Sequence, residues 1–400
     1  MMAVVCDLLR RMPKRRASAV ATMGPMPEAQ SFVDMFAALP DPRSHRTRLH
    51  NLETILFLCL CGVICGANDP VAIEKFGIAK RKFLEQFVDL SAGIPSHDTI
   101  GRVLAKLNPD ALEAMFVRWV AAVAKATEQI VAIDGKTLRR AVDKAKGGAF
   151  VHMVSAWSTA NGVVLGQLAT SEHSNEITAI PRLLALLQLK NCLVTIDAIG
   201  CQTEIVEKIV EAGADYLISV KENQPKLHAA VIGAFDTALA ERSWTADEHT
   251  TEAKKSHGRD EVRRCWVLDV DDAFPELPRW KNLAKIVYVE RESTVAGETS
   301  VGMRLFITSR GALTAAEALA AVRSHWQIEN KVHWTLDMAF REDESRLRAK
   351  NAAENLAVVR HVALNLLRNV KGSNVGIMNR RLEAGWNDEF LVKVLAAHAD

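Results

Sequence analysis

Gln129-Ile-Val-Ala-Ile-Asp134 and Cys192-Leu-Val-Thr-Ile-Asp197 are the two stretches whose reading decides the fold. Each is a short run of β-branched and aliphatic residues ending on an aspartate, the pattern of a strand that delivers a carboxylate to its end. Between them, Val151-His-Met-Val-Ser-Ala-Trp157 and Val163-Val-Leu-Gly-Gln-Leu168 flank Asn161-Gly162, a strong hairpin-turn signal. Residues 177–189 read as a helix with Pro181 in its first turn. After the second aspartate come a helix over about 202–212, a strand from Tyr216 to Val220 and a helix over about 224–241. The order β-β-β-α-β-α-β-α predicts an α/β fold, a mixed sheet in which an antiparallel meander feeds parallel crossovers.

On either side of this block the grammar differs. Residues 31–128 read as helical throughout, with Pro70, Pro95 and Pro109 as punctuation. In Ile94-Pro-Ser-His-Asp-Thr-Ile-Gly-Arg-Val-Leu104, Ser96 can cap a helix that presents His97, Asp98, Thr99 and Arg102 outward. A groove-reading helix has that form, and so does an ordinary helix pair. Residues 243–310 carry strand-like pieces, Glu261 to Val270, Ala284 to Glu290 and Val301 to Thr308. Helices resume at Thr314 and run to about residue 370. From Asn355 to Leu382 the chain holds Arg360, Arg368, Lys371, Arg380 and Arg381 with no acid, a phosphate-facing strip or a solvated surface.

A chain of 400 residues with 49% hydrophobic content can bury two or three domain cores. Its net charge of +2 neither demands nor excludes a polyanionic partner. Seven cysteines without paired spacing fit a reducing cytoplasm rather than a disulfide framework. Cys59, Cys61 and Cys65 lack a fourth metal ligand nearby and read as small hydrophobes of a buried helix. No apolar run reaches the roughly 20 residues of a membrane span. Residues 1–30, with Lys14, Arg15 and Arg16 together, lack a secretory pattern and read as a loose leader, with Met23 and Met26 as alternative starts.

A carboxylate at the end of a buried strand is costly unless paired or coordinated. In open sheets with crossover helices, sites gather at these ends. Asp134 and Asp197 could share Mg²⁺, which prefers oxygen ligands, and a pair of ions suits in-line phosphoryl transfer. The competing reading makes each aspartate a cap for the turn after its strand. A third acid should come from a helix beside the strand ends. Ser324-His-Trp-Gln-Ile-Glu-Asn-Lys-Val-His-Trp334 supplies Glu329, with His325 and His333 four residues away on the same face. Zinc on those three side chains is disfavoured, since successive i,i+4 ligands on a straight helix span about 12 Å. Glu342 and Glu344 are other candidates, in a charge-rich stretch that reads as surface. Trp326 and Trp334 read as core aromatics or as base-stacking wedges.

Several blocks stand in a telling order: Leu39-Pro-Asp-Pro-Arg43, Asp134-Gly-Lys-Thr-Leu-Arg139, Ser174-Asn-Glu-Ile-Thr-Ala-Ile-Pro181 and Thr195-Ile-Asp-Ala-Ile-Gly-Cys-Gln202. Asn223-Gln-Pro225, Gly258-Arg259, His325-Trp-Gln-Ile-Glu-Asn330 and Phe340-Arg-Glu-Asp343 follow. From about Phe32 to Arg368 the chain thereby resembles the H-repeat-associated proteins and their insertion-sequence DDE transposase relatives. The resemblance implies an RNase H-like mixed sheet flanked by helices. Its parts would be a leader (1–30), a helical DNA-binding domain (31–128), a catalytic core (129–242 and 311–370), a β-rich insertion before the last acidic helix (243–310) and a basic tail (371–400).

It further implies Asp134, Asp197 and Glu329 as catalytic, metal-binding acids, with two Mg²⁺ ions or Mn²⁺ in their place. Many relatives carry tyrosine, arginine and lysine around the glutamate, where this sequence has Val322, His325 and Leu336. The DNA contacts expected are Lys136, His325, Arg102, Arg360 and Arg368. The implied activity is cleavage and strand transfer of double-stranded DNA at terminal repeats and a target, by a homodimer without membrane association. The expected location is the bacterial cytoplasm, at the nucleoid when bound to DNA. A metal-dependent nuclease that never joins strands and an inactive DNA-binding remnant are the alternatives.

Overall fold

The structure is a computed structural model that describes residues 32–123, 129–143, 149–170, 176–240, 246–251, 254–256 and 259–397. The leader expected over 1–30 lies outside the described residues. At its centre is one mixed sheet with helices on both sides, in the strand order β3-β2-β1-β4-β5-β10-β9-β8-β6, with β7 also on β8. Strands β1 (Ile130–Asp143), β2 (Ala149–Ser158) and β3 (Val163–Ala169) form the antiparallel meander. Gly162, at φ 65, makes the tight turn between β2 and β3, a conformation that suits a residue without Cβ. Strands β4 (Leu193–Ile196) and β5 (Asp215–Val220) run parallel to β1. Their crossovers are the helices α7 (Glu176–Leu186) and α8 (Thr203–Glu211), and α9 (Pro225–Ala240) follows β5.

The strands expected as an insertion are β8 (Arg259–Asp269), β9 (Lys285–Val295) and β10 (Glu298–Thr308), with the short β6 (Asp247–Thr250) and β7 (Lys254–Ser256). They extend the same sheet. β10 pairs antiparallel with β5, Leu305 opposite Val220 and Thr308 opposite Leu217. The reason lies in β10 itself: Leu305-Phe-Ile-Thr308 is buried against the open edge of β5, while Glu298 to Arg304 runs out into solvent.

The other edge, β3, is closed by side chains. Asn365 accepts from the Val164 N–H at 2.8 Å and donates to its carbonyl at 2.9 Å. The Glu113 carboxylate accepts from the Gln167 N–H at 2.7 Å. An edge strand without such partners would offer its backbone to another chain. Glu113 lies on α6 (Pro109–Val123) and Asn365 on α12 (Ala352–Asn369), a helix buried on nearly every side between β3 and the N-terminal helices. Those are α1 (Phe32–Ala37), α2 (Leu52–Ile64), α3 (Pro70–Ala79), α4 (Arg81–Leu84) and α5 (His97–Lys106). In α2 every residue but Glu53 is buried, and burial pushes the Cys59 thiol up to about 12, as suits an inert core cysteine.

The basic strip from Asn355 to Leu382 is corrected by this packing. Arg360 is 1% exposed, bonded to the Asn68 carbonyl at 3.3 Å and 3.6 Å from Glu342. Arg381 donates to the Val63 carbonyl at the end of α2 and stacks on Phe340. Arg368 lies over the Trp157 ring. The Arg360 and Arg381 guanidiniums satisfy buried carbonyls and a buried acid, so Arg360 does not face phosphates, and the half-buried Arg368 donates to Thr335 Oγ1 at 3.3 Å. The stretch expected as a tail forms α13 (Ile377–Trp386) and α14 (Asp388–Leu395), held in the core by Ala384, Phe390, Leu391 and Val394.

Replacing Asn365 by Leu strips Val164 of both edge partners. A stability loss of roughly 2–4 kcal/mol is expected in urea unfolding; a loss below about 1 kcal/mol would show that the edge does not need the amide.

Candidate active site

The alternation of β-strands decides which side chains can meet. Ile130, Ala132 and Asp134 share one face of β1; Leu193 and Thr195 share that face of β4, and Asp197 continues it. Ile130, Leu193 and Leu217 pack there under α10 (Ala315–Gln327), the helix that leads to Glu329. The parallel register sets Ile133 opposite Ile196, so the next residues, Asp134 and Asp197, stand level on neighbouring strands. Both line one cleft with Glu329, together with Thr195, Ser219, Lys221, Arg304, His325 and Trp326.

Asp134 does not end its strand, as its sequence suggested. β1 continues to Asp143 because its pairing with β2 persists after the parallel ladder with β4 stops. The carboxylate therefore sits where one neighbour has ended and left a gap. Asp197 does end β4, and it also caps the short turn Ala198–Gly200, accepting from the Ile199 N–H at 3.1 Å. The capping reading thus holds for Asp197 without removing it from the cleft.

Glu329 lies on a π-helical turn, Ile328–His333, between α10 and α11 (Trp334–Phe340). The extra residue per turn breaks the straight-helix phase assumed for His325, Glu329 and His333. His325 is half-buried at the cleft wall, its Nδ1 3.0 Å from Thr195 Oγ1. His333 instead turns inward, 8% exposed, with Nδ1 3.5 Å from Asp134 Oδ2. Burial pulls the first imidazole down to about 4 and the second to about 3, so both are neutral near pH 7. His325 can offer phosphate a hydrogen bond, not a charge.

Lys136 is corrected as well. Its ammonium is held by Asp337, by Glu342 at 3.0 Å and by the His333 carbonyl at 3.5 Å, and is not free for DNA. It ties β1, two residues past Asp134, to the segment that carries Glu329. Glu342, a rival third acid, is the buried partner of Lys136 and Arg360. Burial alone would raise its carboxyl, but those two cations and His361 bring it below the ordinary value. Glu344 pairs with Arg341 at 2.8 Å on the surface. Arg102 is exposed on α5, bonded to Thr99, and does not line the cleft. Trp326 and Trp334 are 42% and 62% exposed, so neither is a core aromatic.

A further acid stands beside the pair. Glu176, at the start of α7, is 2.7 Å from His152 Nε2. Gly135 leaves the space for it: a Cβ there would overlap both the Glu176 carboxylate and the His152 ring. Burial first, then the charges of Asp197, Glu176 and Glu329, push the Asp134 carboxyl up to about 7, against the Gly135 N–H. Asp197 is raised by burial and by Glu176, against the Ile199 and Gly200 N–H groups and Lys221. Excess negative charge on oxygen donors fits a hard divalent cation. Among the described residues no three His, Cys, Asp or Glu side chains close on a single point, so the acids form an open cleft and not a closed cage. Lys221, Arg304 and Glu176 were missed in the sequence. Lys221 follows directly on the strand Tyr216 to Val220, the one signal that could have marked it.

The family described as "Transposase DDE domain" matches residues 125–366, and that described as "DDE_Tnp_1-associated" matches residues 33–120. The chain is 41% identical to "Putative transposase YncI" of Escherichia coli O157:H7, over 92% of this chain and 95% of that one. It is 39% identical to "H repeat-associated putative transposase YhhI" of Escherichia coli (strain K12), over 92% of this chain and 98% of that one.

An aspartate raised from 3.8 to about 7 binds its proton more tightly folded than unfolded, so its contribution to stability falls as pH rises through that window. Asp134→Asn is expected to stabilise the metal-free protein by on the order of 1–3 kcal/mol at pH 8 and to leave it unchanged near pH 3. Melting curves across that range check it; an equal effect at both ends would refute the shift.

Proposed function

The chain belongs to the transposase DDE-domain family, and from that premise we propose that it cuts and rejoins DNA strands at the ends of an insertion sequence. The reading is supported above all by two carboxylates level on adjacent parallel strands, facing the helix that brings Glu329, in a cleft whose rim carries Lys221 and Arg304. We assign Asp134, Asp197 and Glu329 as the catalytic acids, holding Mg²⁺ or Mn²⁺, two ions at a time. When bound, such ions supply charge neutralisation on the reacting phosphate and lower the pKa of the attacking oxygen.

The protein's own groups do the positioning. Asp197 is oriented by the Ile199 N–H, and Thr195 fixes the neutral His325 ring against the cleft wall. Lys221 and Arg304 bring positive charge to the rim, where a phosphate entering an acidic cleft needs it. Lys136, through Asp337 and Glu342, holds the Glu329 segment to the strand that bears Asp134. Ile130, Leu193 and Leu217, packed under α10, form the apolar layer from which the strands carry the two aspartates into the cleft.

Within this reading, β1 to β5 in the order 3-2-1-4-5 form an RNase H-like core, 129–242, completed by 311–370 and enlarged by 243–310 at its β5 edge. The helical region 31–128 serves DNA binding, with Arg102 on an outward face of α5. A homodimer follows from the need to hold two element ends together. A cytoplasmic site of action accords with that chemistry. Among the described residues no helix is long and apolar enough to cross a membrane.

Labelled terminal-repeat DNA, Mg²⁺ and a target plasmid test the proposal. Joined products are expected from the wild type; nicked ends without joining would mean a nuclease, and a mobility shift without cleavage a remnant. Asp197→Asn is expected to lose at least about 10³-fold in cleavage while still shifting the DNA. Undiminished cutting would sink the site assignment.

A further inference from the structure

Beyond the cleft, the sheet extension carries a second concentration of charge, of opposite sign. Strand register sets Arg263 of β8 directly opposite Arg291 of β9, and Arg291 opposite Gly302 of β10. Arg304 is two residues from Gly302 and so shares its face. That is the face covered by α10 nearer the core, through Cys265, Val289 and Phe306. Where the helix stops covering the strands, it adds Arg323 to the group.

Like charges directly across a strand pair destabilise a sheet, yet this face leaves them almost unbalanced. Arg263 pairs with Glu261. Among the described residues Arg291, Arg304 and Arg323 have no carboxylate partner. The reverse face is handled in the opposite way: Arg264 lies opposite Glu290, bonds it at 2.6 Å and reaches Glu292 at 3.0 Å. One side of the hairpin is neutralised internally and the other is not. The Arg263 guanidinium is held below its ordinary value by burial and then by Arg323, Arg291 and Arg304, against the pull of Glu261. Arg304 is the link to the cleft: it lines the rim, and its guanidinium carbon lies 4.7 Å from the centre of the exposed Trp326 ring. Between the arginines the floor is open, since a Cβ on Gly302 would meet nothing within 4 Å.

We propose that Arg263, Arg291, Arg304 and Arg323 form a track that holds the phosphodiester backbone of a DNA duplex and leads it to the cleft of Asp134, Asp197 and Glu329. The inference rests on the DNA-cutting function proposed above and adds where the substrate lies. A row of guanidiniums spread over three neighbouring strands and a helix matches a row of phosphates better than it matches any single anion. It supplies the fixed positive charge that the chain, at a net +2, lacks as a whole. Contacts of this kind position DNA without reading its bases. The β-rich extension is then a DNA-holding surface that continues the catalytic sheet.

The test uses the full chain and two short duplexes of unrelated sequence, followed by fluorescence anisotropy in EDTA over a range of salt. Arg291→Gln/Arg323→Gln alters two exposed side chains without touching the cleft. Its slope of log affinity against log salt should be shallower than wild type by about 2, one for each lost phosphate contact, with equal weakening on both duplexes. Relief of repulsion should leave its melting temperature at or above wild type. Arg264→Gln, on the neutralised face, should bind as wild type. An unchanged slope in the double variant, weakening on one duplex alone, or equal weakening by Arg264→Gln would each overturn the track while leaving the proposed function standing. A wild-type protein that binds neither these duplexes nor terminal-repeat DNA would overturn both.

Discussion

Ionised carboxylates repel one another, and the register of β1 on β4 leaves two of them no way to move apart. Ile133 stands opposite Ile196, so Asp134 and Asp197 emerge level from adjacent strands, on the face that α10 covers. In water this proximity would be a minor cost; here burial, with the charges of Asp197, Glu176 and Glu329 added to it, carries the Asp134 carboxyl up to about 7. The rest of the site answers that strain. Glu176 and Glu329 add to the negative charge, and the rim cations Lys221 and Arg304 lie where an incoming anion would need them. An arrangement of this sort is unfavourable for the protein alone and favourable once a divalent cation balances it.

The charges deeper in the molecule are balanced internally. Lys136, Asp337, Glu342 and Arg360 neutralise one another in a buried network that reaches from β1 to α12. Breaking one member of such a network leaves its partners buried and unpaired, so the network holds its elements in one relative position. Because Lys136 follows Asp134 by two residues and Asp337 follows Glu329 by eight, this network links the two sides of the cleft. The π-helical turn at Glu329 sits between these anchors and turns Glu329 to the cleft and His333 inward.

The two long edges of the sheet differ in the same way. At β3 the backbone is closed by Asn365 and Glu113 from flanking helices. At β5 the sheet continues into β10, β9 and β8, whose outer halves leave the core. Closure on one side and extension on the other make the molecule asymmetric about the acids, with unpaired arginines on the open side. The long, mostly buried α12 could have been read from its apolar content, but not that its arginine would serve a buried glutamate.

Much of the secondary structure was legible in the sequence, because it depends on local patterns. The Asn161-Gly162 turn, the short apolar strands and the crossover helices follow from periodicity and turn chemistry, and the structure has them close to where those patterns end. The presence of Asp134, Asp197 and Glu329 beside strands and a late helix was likewise visible. What only the tertiary structure decided was partnership. A sequence does not show that Lys136, Arg360 and Arg368 find partners inside the fold, while Arg291, Arg304 and Arg323 are left on one face without a carboxylate among the described residues. Nor does it show that the strands after residue 243 join the edge of β5. Local order is set by neighbours in the chain, but burial and charge pairing are set by neighbours in space, and those exist only once the sheet has formed.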